Sequence, residues 1–324
     1  MLGGRKRSIP FEYTALASFE RAGKEGVARL LHLPSLSSRE FEAIQRREIA
    51  EWPELAVPNA AWFARKYPER QARRDAEIAL ADLVVVNPSL TARSHIEYGA
   101  DPEKIVVATL GAPPAIGEAR PASRERGALS VLWAGHFTLG KGAHYLLDAW
   151  RRLGANSAAR LDVYGALDIP ERLLASAGES VTFHGAVRRS ALYEAYERAD
   201  VLVFPSLSDG FGMVVAEAMA HGLPVIATDM AGAAELVNPR NGLVVPAADP
   251  AALAGALRWC LDNRDALRDM RVEALETARR HQWSDYRRDL TATLAIRLRR
   301  LGYDSPPVEA PAQIGAAAPM AHGR

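Results

Sequence analysis

From Ala128 to Val245 short apolar runs alternate with helical patterns: Leu129–Ala134, His144–Leu153, Leu161–Tyr164, Val181–His184, Ser190–Arg198, Val201–Phe204, Phe211–His221, Val225–Thr228 and Leu243–Val245. Short runs of this kind suit strands, and the patterns between them carry helical spacing. Such alternation leaves little choice of architecture, because strands joined through helices make a parallel sheet with helices on both faces. Ligands of such sheets sit at the carboxyl ends of the strands, which places Gly135, Gly165, Gly185, Ser206 and Thr228 along one edge. Asp249-Pro250 is an N-cap followed by proline at the first helical position, and it opens a helix to Asp262. Two more helices are predicted over about Asp265–Arg280 and Ser284–Leu301.

The first third of the chain is less regular. Helices are predicted near Tyr13–Lys24, Ser37–Trp52 and Glu69–Leu80, the second opened by a Ser37-x-x-Glu40 capping box, with strands at Ala28–His32, Leu83–Asn87 and Ile105–Thr109. The boundaries expected are a first domain over 1–111, a Pro-, Ala- and Arg-rich linker over 112–127, and a second domain over 128–282. A final helix over 283–302 is expected to return toward the first domain, followed by a disordered tail over 303–324. A net charge of +1 gives no electrostatic case for nucleic acid. Local basic runs (Arg5-Lys-Arg7, Arg70 to Arg74, Arg287-Arg288, Arg297 to Arg300) read first as solvated helix faces and second as contacts to anionic lipid at a membrane surface. Cys260, the single cysteine, excludes an internal disulfide and suits a reducing, cytoplasmic setting. No run reaches the length of a membrane span, and Met1 to Pro10 lacks the apolar region of a signal peptide.

The stretch Phe204 to Thr228 carries most of the chemistry. A strand, a turn (Pro205 to Gly210) and a helix closed by Gly222 with Pro224 beyond it make an anion site at a helix N-terminus, with Gly210, Phe211 and Gly212 offering backbone N–H groups. The helix is apolar almost all round, so Glu217 is expected to enter its buried side and to need a partner, either a structural ion pair or the hydroxyls of a bound sugar or ribose. Asp209 stands eight positions before it. Upstream, Gly135-x-x-x-x-Gly140-Lys141-Gly142 follows a strand and precedes a helix, nearly spelling a phosphate-binding P-loop. Position 142 lacks the Ser or Thr hydroxyl that holds magnesium, and Asp200 precedes its strand instead of ending one. No His, Asp or Glu cluster has metal-ligand spacing, so no metal and no cofactor are expected.

An acid, Gly-Phe-Gly, a second acid and then Ala218-Met-Ala-x-Gly-x-Pro-Val225 resemble the donor-binding signature of the retaining GT-B glycosyltransferases of glycosyltransferase family 4. The resemblance continues through Val131 to Gly142, Leu161 to Gly165, Val181 to Gly185, Ala199 to Ser206 and Asn241 to Pro246, over roughly residues 80 to 300. It implies an α/β chain of GT-B type with two Rossmann-like parallel-sheet domains. By that resemblance Lys141 reaches the donor diphosphate, Asp209 contacts the donor-sugar hydroxyls and Glu217 holds the ribose, while Gly135, Arg188 or Arg189, and Glu235 stand near the donor. The family usually has Glu where Asp209 stands and Arg where His136 stands. A histidine there lacks the guanidinium fork and weakens phosphate binding. His32, at a strand end, matches the family's histidine near the reacting sugar and reads equally as a core residue.

The implied activity is metal-independent transfer of a sugar, with retention, from a nucleotide-diphosphate sugar to a glycan, lipid-linked or small-molecule acceptor, as in polysaccharide biosynthesis. The family's first domain has six or more strands, and only three are legible before the linker. Either its opening half is absent or the domain is a reduced one. On that ground an oligomer is expected, and the competing reading is an inactive or fragmentary nucleotide-sugar-binding protein.

Overall fold

The computed structural model describes residues 12–55, 60–118, 127–154 and 157–304. The basic run at Arg5 to Arg7, half of the expected linker and nearly all of the expected tail lie outside the described residues. The chain divides into two compact units, one of residues 1–39, 58–110 and 283–324, the other of residues 40–57 and 111–282.

The first unit contains α1 (Leu16–Lys24), β1 (Leu30–Leu33), the start of α2 (Ser38–Glu51), α3 (Ala60–Leu80), β2 (Leu83–Val86), α4 (Ser89–Glu97) and β3 (Ile105–Val107). Its three strands are parallel, in the order β1-β2-β3. Side chains alternate across a strand, so Leu31, Leu33, Val84 and Val86 bury one face with Phe19 of α1, and Leu30, Leu83 and Val85 bury the other. Residues 283–324 belong to this unit, and Leu294 and Leu298 cover that second face. Glu77 is fully buried, and its carboxylate accepts the amides of Tyr13, Ala15 and Leu16, which the start of α1 would otherwise leave unpaired. The expected capping box does not form, because the Ser37 amide donates to Ser94 Oγ at 2.8 Å.

The second unit is a six-stranded parallel sheet in the order β11-β10-β9-β4-β6-β8. In chain order it holds β4 (Leu129–Ala134), the short β5 (Phe137–Thr138), α5 (Ala143–Leu153), β6 (Ala159–Tyr164), β7 (Leu167–Asp168), α6 (Glu171–Ala175), β8 (Val181–Gly185), α7 (Arg189–Arg198) and β9 (Val201–Phe204). It continues with α8 (Met213–Ala220), β10 (Val225–Thr228), β11 (Gly242–Val245), α9 (Pro250–Asp262) and α10 (Arg264–Arg280); α11 (Trp283–Arg300) then lies in the first unit. Every residue of β4, β9 and β10 is buried, as strands covered on both faces require. Trp133, Leu146, Leu161 and Leu257 fill the largest core. Asp249 caps α9 by accepting the Ala252 amide at 2.8 Å, with Pro250 first in the helix. The paired β5 and β7 carry no periodic signal, since each has two residues.

Residues 40–57, which include most of α2, group with this second unit although they precede β2 in the chain. Ile44 and Leu55 are buried against Leu139, Tyr145 and Leu207.

Candidate functional site

β4 lies between β6 and β9, and the chain runs outward from it in two directions, β4 to β6 to β8 on one side and β9 to β10 to β11 on the other. The connections after β4 and β9 therefore part, and a crevice opens at the carboxyl ends of these two strands. The segments that meet there are Gly135–Gly142 and Pro205–Gly212. The Leu207 amide donates to the Gly140 carbonyl at 3.0 Å, and Ser206 Oγ donates to the same oxygen at 3.3 Å. Gly142 is in the left-handed region (φ 70°), and a Cβ there would fall 1.9 Å from the Pro205 carbonyl oxygen, so only glycine allows the two backbones this close.

At this crossing Lys141 Nζ pairs with Asp209 Oδ2, joining two residues 68 positions apart. Both are only partly exposed, at 32% and 17% of the side chain. Asp209 Oδ1 accepts the Phe211 amide at 3.0 Å. That amide is thus engaged within the loop, and the expected row of three open N–H groups is shortened. Helix α8 begins at Met213, two residues later than expected, and no side chain caps it. Of the amides at its start, that of Val215 donates to the Gly212 carbonyl at 2.9 Å, and a helix start without a side-chain cap is the position at which helices bind anions. The loop is tied on its far side to the segment after β10, through Asp209 N to Met230 O (3.1 Å) and Gly232 N to Asp209 O (3.0 Å).

Glu217 does not enter the interior. Met213, Val214 and Glu217 form the half-exposed stripe of α8, while Val215, Ala216, Ala218 and Met219 face the core. Its partner is Tyr196, a fully buried residue of α7 whose hydroxyl donates to Glu217 Oε2 at 3.4 Å. Burial raises the Glu217 pKa above the ordinary carboxylate value, against the lowering effects of the Arg189 charge and the Tyr196 hydroxyl. The basic residue acting on Glu217 is therefore Arg189, the first residue of α7, whereas Arg188 is its exposed N-cap residue. Tyr196 was not legible as a site residue. A tyrosine at helical spacing reads as core, and only the packing of α7 against α8 gives its hydroxyl a target.

The other predicted residues take separate places. Gly135 follows β4 directly with φ 135°, and its amide donates to the Tyr164 carbonyl at 3.0 Å. His136 is exposed, with Nε2 3.9 Å from Asp168 Oδ2. Glu235 is exposed in the short 3-10 turn Gly232–Leu236. His32 lies in the first unit, inside β1 and not at its end, with Nε2 3.0 Å from Asn87 Oδ1. That unit also has a cavity of about 220 Å³ between α3 and α4, lined by Arg74, Asp75, His95 and Lys104 among others. None of the predicted residues lines it, and of the charges at its wall Arg39 pairs with Asp75 and Arg74 with Glu12. Among the described residues no group of three or more His, Cys, Asp or Glu side chains is placed to hold a metal, and no helix is long and apolar enough to cross a membrane.

The family model of Glycosyl transferases group 1 matches residues 128–263, the span that builds the crevice. Through this span the chain belongs to the glycosyl transferases group 1. Among curated group 1 relatives, a D-inositol 3-phosphate glycosyltransferase of Geodermatophilus obscurus is 34% identical over 242 residues, covering 65% of this chain and 53% of the relative. The chain spans about half the length of the first such relatives it matches, 53%, 56% and 61%. In fold it is similar to Anabaena Alr3699/HepE, solved in complex with UDP, with a TM-score of 0.68 at 18% identity over 89% of this chain and 79% of that one. The sucrose-phosphate synthase of Thermosynechococcus elongatus gives a TM-score of 0.65 at 21% identity, over 91% and 73%. The fold of this group 1 chain is of the GT-B type.

Proposed function

We propose that the chain binds a nucleotide-diphosphate sugar in the crevice between β4 and β9 and transfers the sugar, with retention and without a metal, to an acceptor hydroxyl. The observation that carries this reading is the meeting of Lys141 with Asp209 beside the uncapped start of α8, in a span matched by the group 1 family. The leaving diphosphate gathers negative charge as the glycosidic bond breaks. Lys141 stabilises it by charge and the α8 amides by their dipoles, both fixed before the reaction begins. Asp209 and Glu217 accept hydrogen bonds from hydroxyls of the sugar and the ribose, and a donor phosphate oxygen takes the acceptor's proton. Binding of the diphosphate must draw Lys141 away from Asp209, which frees that carboxylate for the sugar. The relatives' name makes D-inositol 3-phosphate the first acceptor to assay, and UDP is the first nucleotide because it occupies the fold neighbour. The reading places the protein in the cytoplasm, with the exposed Arg300 at the end of α11 as a contact to anionic lipid.

The test is a panel of nucleoside diphosphates against the melting temperature, followed by a transfer assay. A ligand specific for the native state raises Tm, by about 2.7 kcal/mol of added stability at a hundred times Kd. Lys141→Ala is expected to abolish the shift, and an equal shift in the two proteins would remove Lys141 from the site. A protein that binds the donor and transfers nothing to any acceptor is the non-catalytic alternative.

A further inference from the structure

Helix α2 brings chemistry to the crevice that no motif announced. Phe41, Gln45 and Glu48 stand at i, i+4 and i+7, which is one stripe of a helix. The first two reach the donor loop: a Cβ built on Gly140 would meet Gln45 Nε2 at 3.7 Å and a Phe41 ring carbon at 4.0 Å, and Lys141 is the next residue. Phe41 is 45% exposed. Gln45 is half-buried, and its carboxamide makes no hydrogen bond to another described residue.

Glu48 is built differently. It is fully buried, with Oε2 3.2 Å from Nε2 of His144, the second residue of α5, and it takes further hydrogen bonds from Tyr145 and Arg47. The His144 ring is enclosed by Trp52 at 5.6 Å and Tyr145 at 4.2 Å between centroids. Burial pushes the Glu48 carboxyl up, but these partners outweigh it and hold the group below its ordinary pKa. A buried ionic group seldom adds stability over an apolar residue of the same size, so its useful effect is to fix geometry. What it fixes here is the position of α2 against the start of α5, which is also the end of the Lys141 loop.

We propose that Gln45 is a specificity-determining contact to the sugar end of the nucleotide-sugar donor, with Phe41 as the apolar wall beside it and Glu48 as the residue that positions both. The inference rests on the donor site described above. A small number of polar groups set among apolar ones is the usual makeup of a site that orients a ligand, and a free carboxamide offers both a donor and an acceptor to ring hydroxyls.

The test compares a nucleotide sugar with its own nucleoside diphosphate, by calorimetry on the full chain. UDP-, GDP- and ADP-glucose are screened first, and the tightest binder is used with its diphosphate. Gln45→Ala is expected to weaken the nucleotide sugar about 3- to 10-fold, the loss of one hydrogen bond, while the diphosphate stays within about 2-fold. Glu48→Gln keeps the volume and is expected to show the same selective loss, with the double variant no weaker than Glu48→Gln alone, since both act through one contact. Should Glu48→Gln fail to fold, Gln45→Ala on the half-exposed side still decides. Unchanged nucleotide-sugar binding in Gln45→Ala, or equal loss for both ligands, overturns the assignment. Lys141→Ala separates the two levels of the argument, because it is expected to weaken both ligands together. A wild-type protein that binds none of them refutes the donor site itself, and this inference with it.

Discussion

Glu217 is held by a tyrosine hydroxyl in a half-buried place, and burial raises its pKa. The sign of the consequence follows from linkage. A carboxyl whose folded pKa lies above its unfolded value contributes most below the unfolded value, and that contribution is lost as pH rises through the folded one. Glu217→Gln keeps an acceptor for Tyr196 and removes the charge, so it is expected to raise Tm at pH 7 to 8 and to leave it nearly unchanged at pH 4. The same variant is expected to lose affinity for the donor nucleotide. A Tm difference that does not vary with pH would show that the Glu217 charge is not what the fold pays for.

At the scale of elements, the site depends on how closely two loops approach. Gly142 has φ 70° and lies where a Cβ would strike the Pro205 carbonyl, whereas Gly154 has φ 96° and open space around it. Alanine at either position costs about 1 kcal/mol or more for the positive-φ backbone alone. Gly142→Ala adds a collision between main chains, which no side-chain rotation relieves. The expected order is a loss of about 3 kcal/mol or more for Gly142→Ala and about 1 for Gly154→Ala in urea unfolding. Nucleotide affinity should fall only in the former, because the Leu139–Gly142 turn carries Lys141. Equal midpoints for the two variants would mean that the loops are not held against each other.

At the scale of the molecule, the two units are not consecutive in sequence. Residues 40–57 lie in the second unit and residues 283–324 in the first, so each unit is completed by chain from the other side of a boundary. Ile44 is 6% exposed against Leu139, Tyr145 and Leu207. Ile44→Ala is therefore expected to cost about 2 to 4 kcal/mol as a core truncation. By hydrogen exchange the loss should appear as faster opening of the second unit's amides around Leu139 and Leu207, with β1 to β3 unaffected. Faster exchange confined to the first unit would place α2 there instead.

The strands Leu129–Ala134, Val201–Phe204 and Val225–Thr228 appear where the apolar runs predicted them, and Asp249-Pro250 starts α9 as its residue types require. These features were legible because they depend on local spacing, on turn residues and on a cap that reaches only three residues along the chain. The order of motifs in the second unit was legible for the same reason, since each motif is a strand end or a helix start. The sequence by itself could not show that Lys141 meets Asp209, that the Tyr196 hydroxyl reaches Glu217, or that α8 turns Glu217 to its half-exposed side. Nor could it show that Ser37 bonds to Ser94, which cancels a capping box that local residues favour, or that α2 completes the second unit. Each of these depends on which strands become neighbours and which helix faces meet. A periodic pattern says that a residue is buried, but the partner that buries it is set by packing between segments distant in the chain.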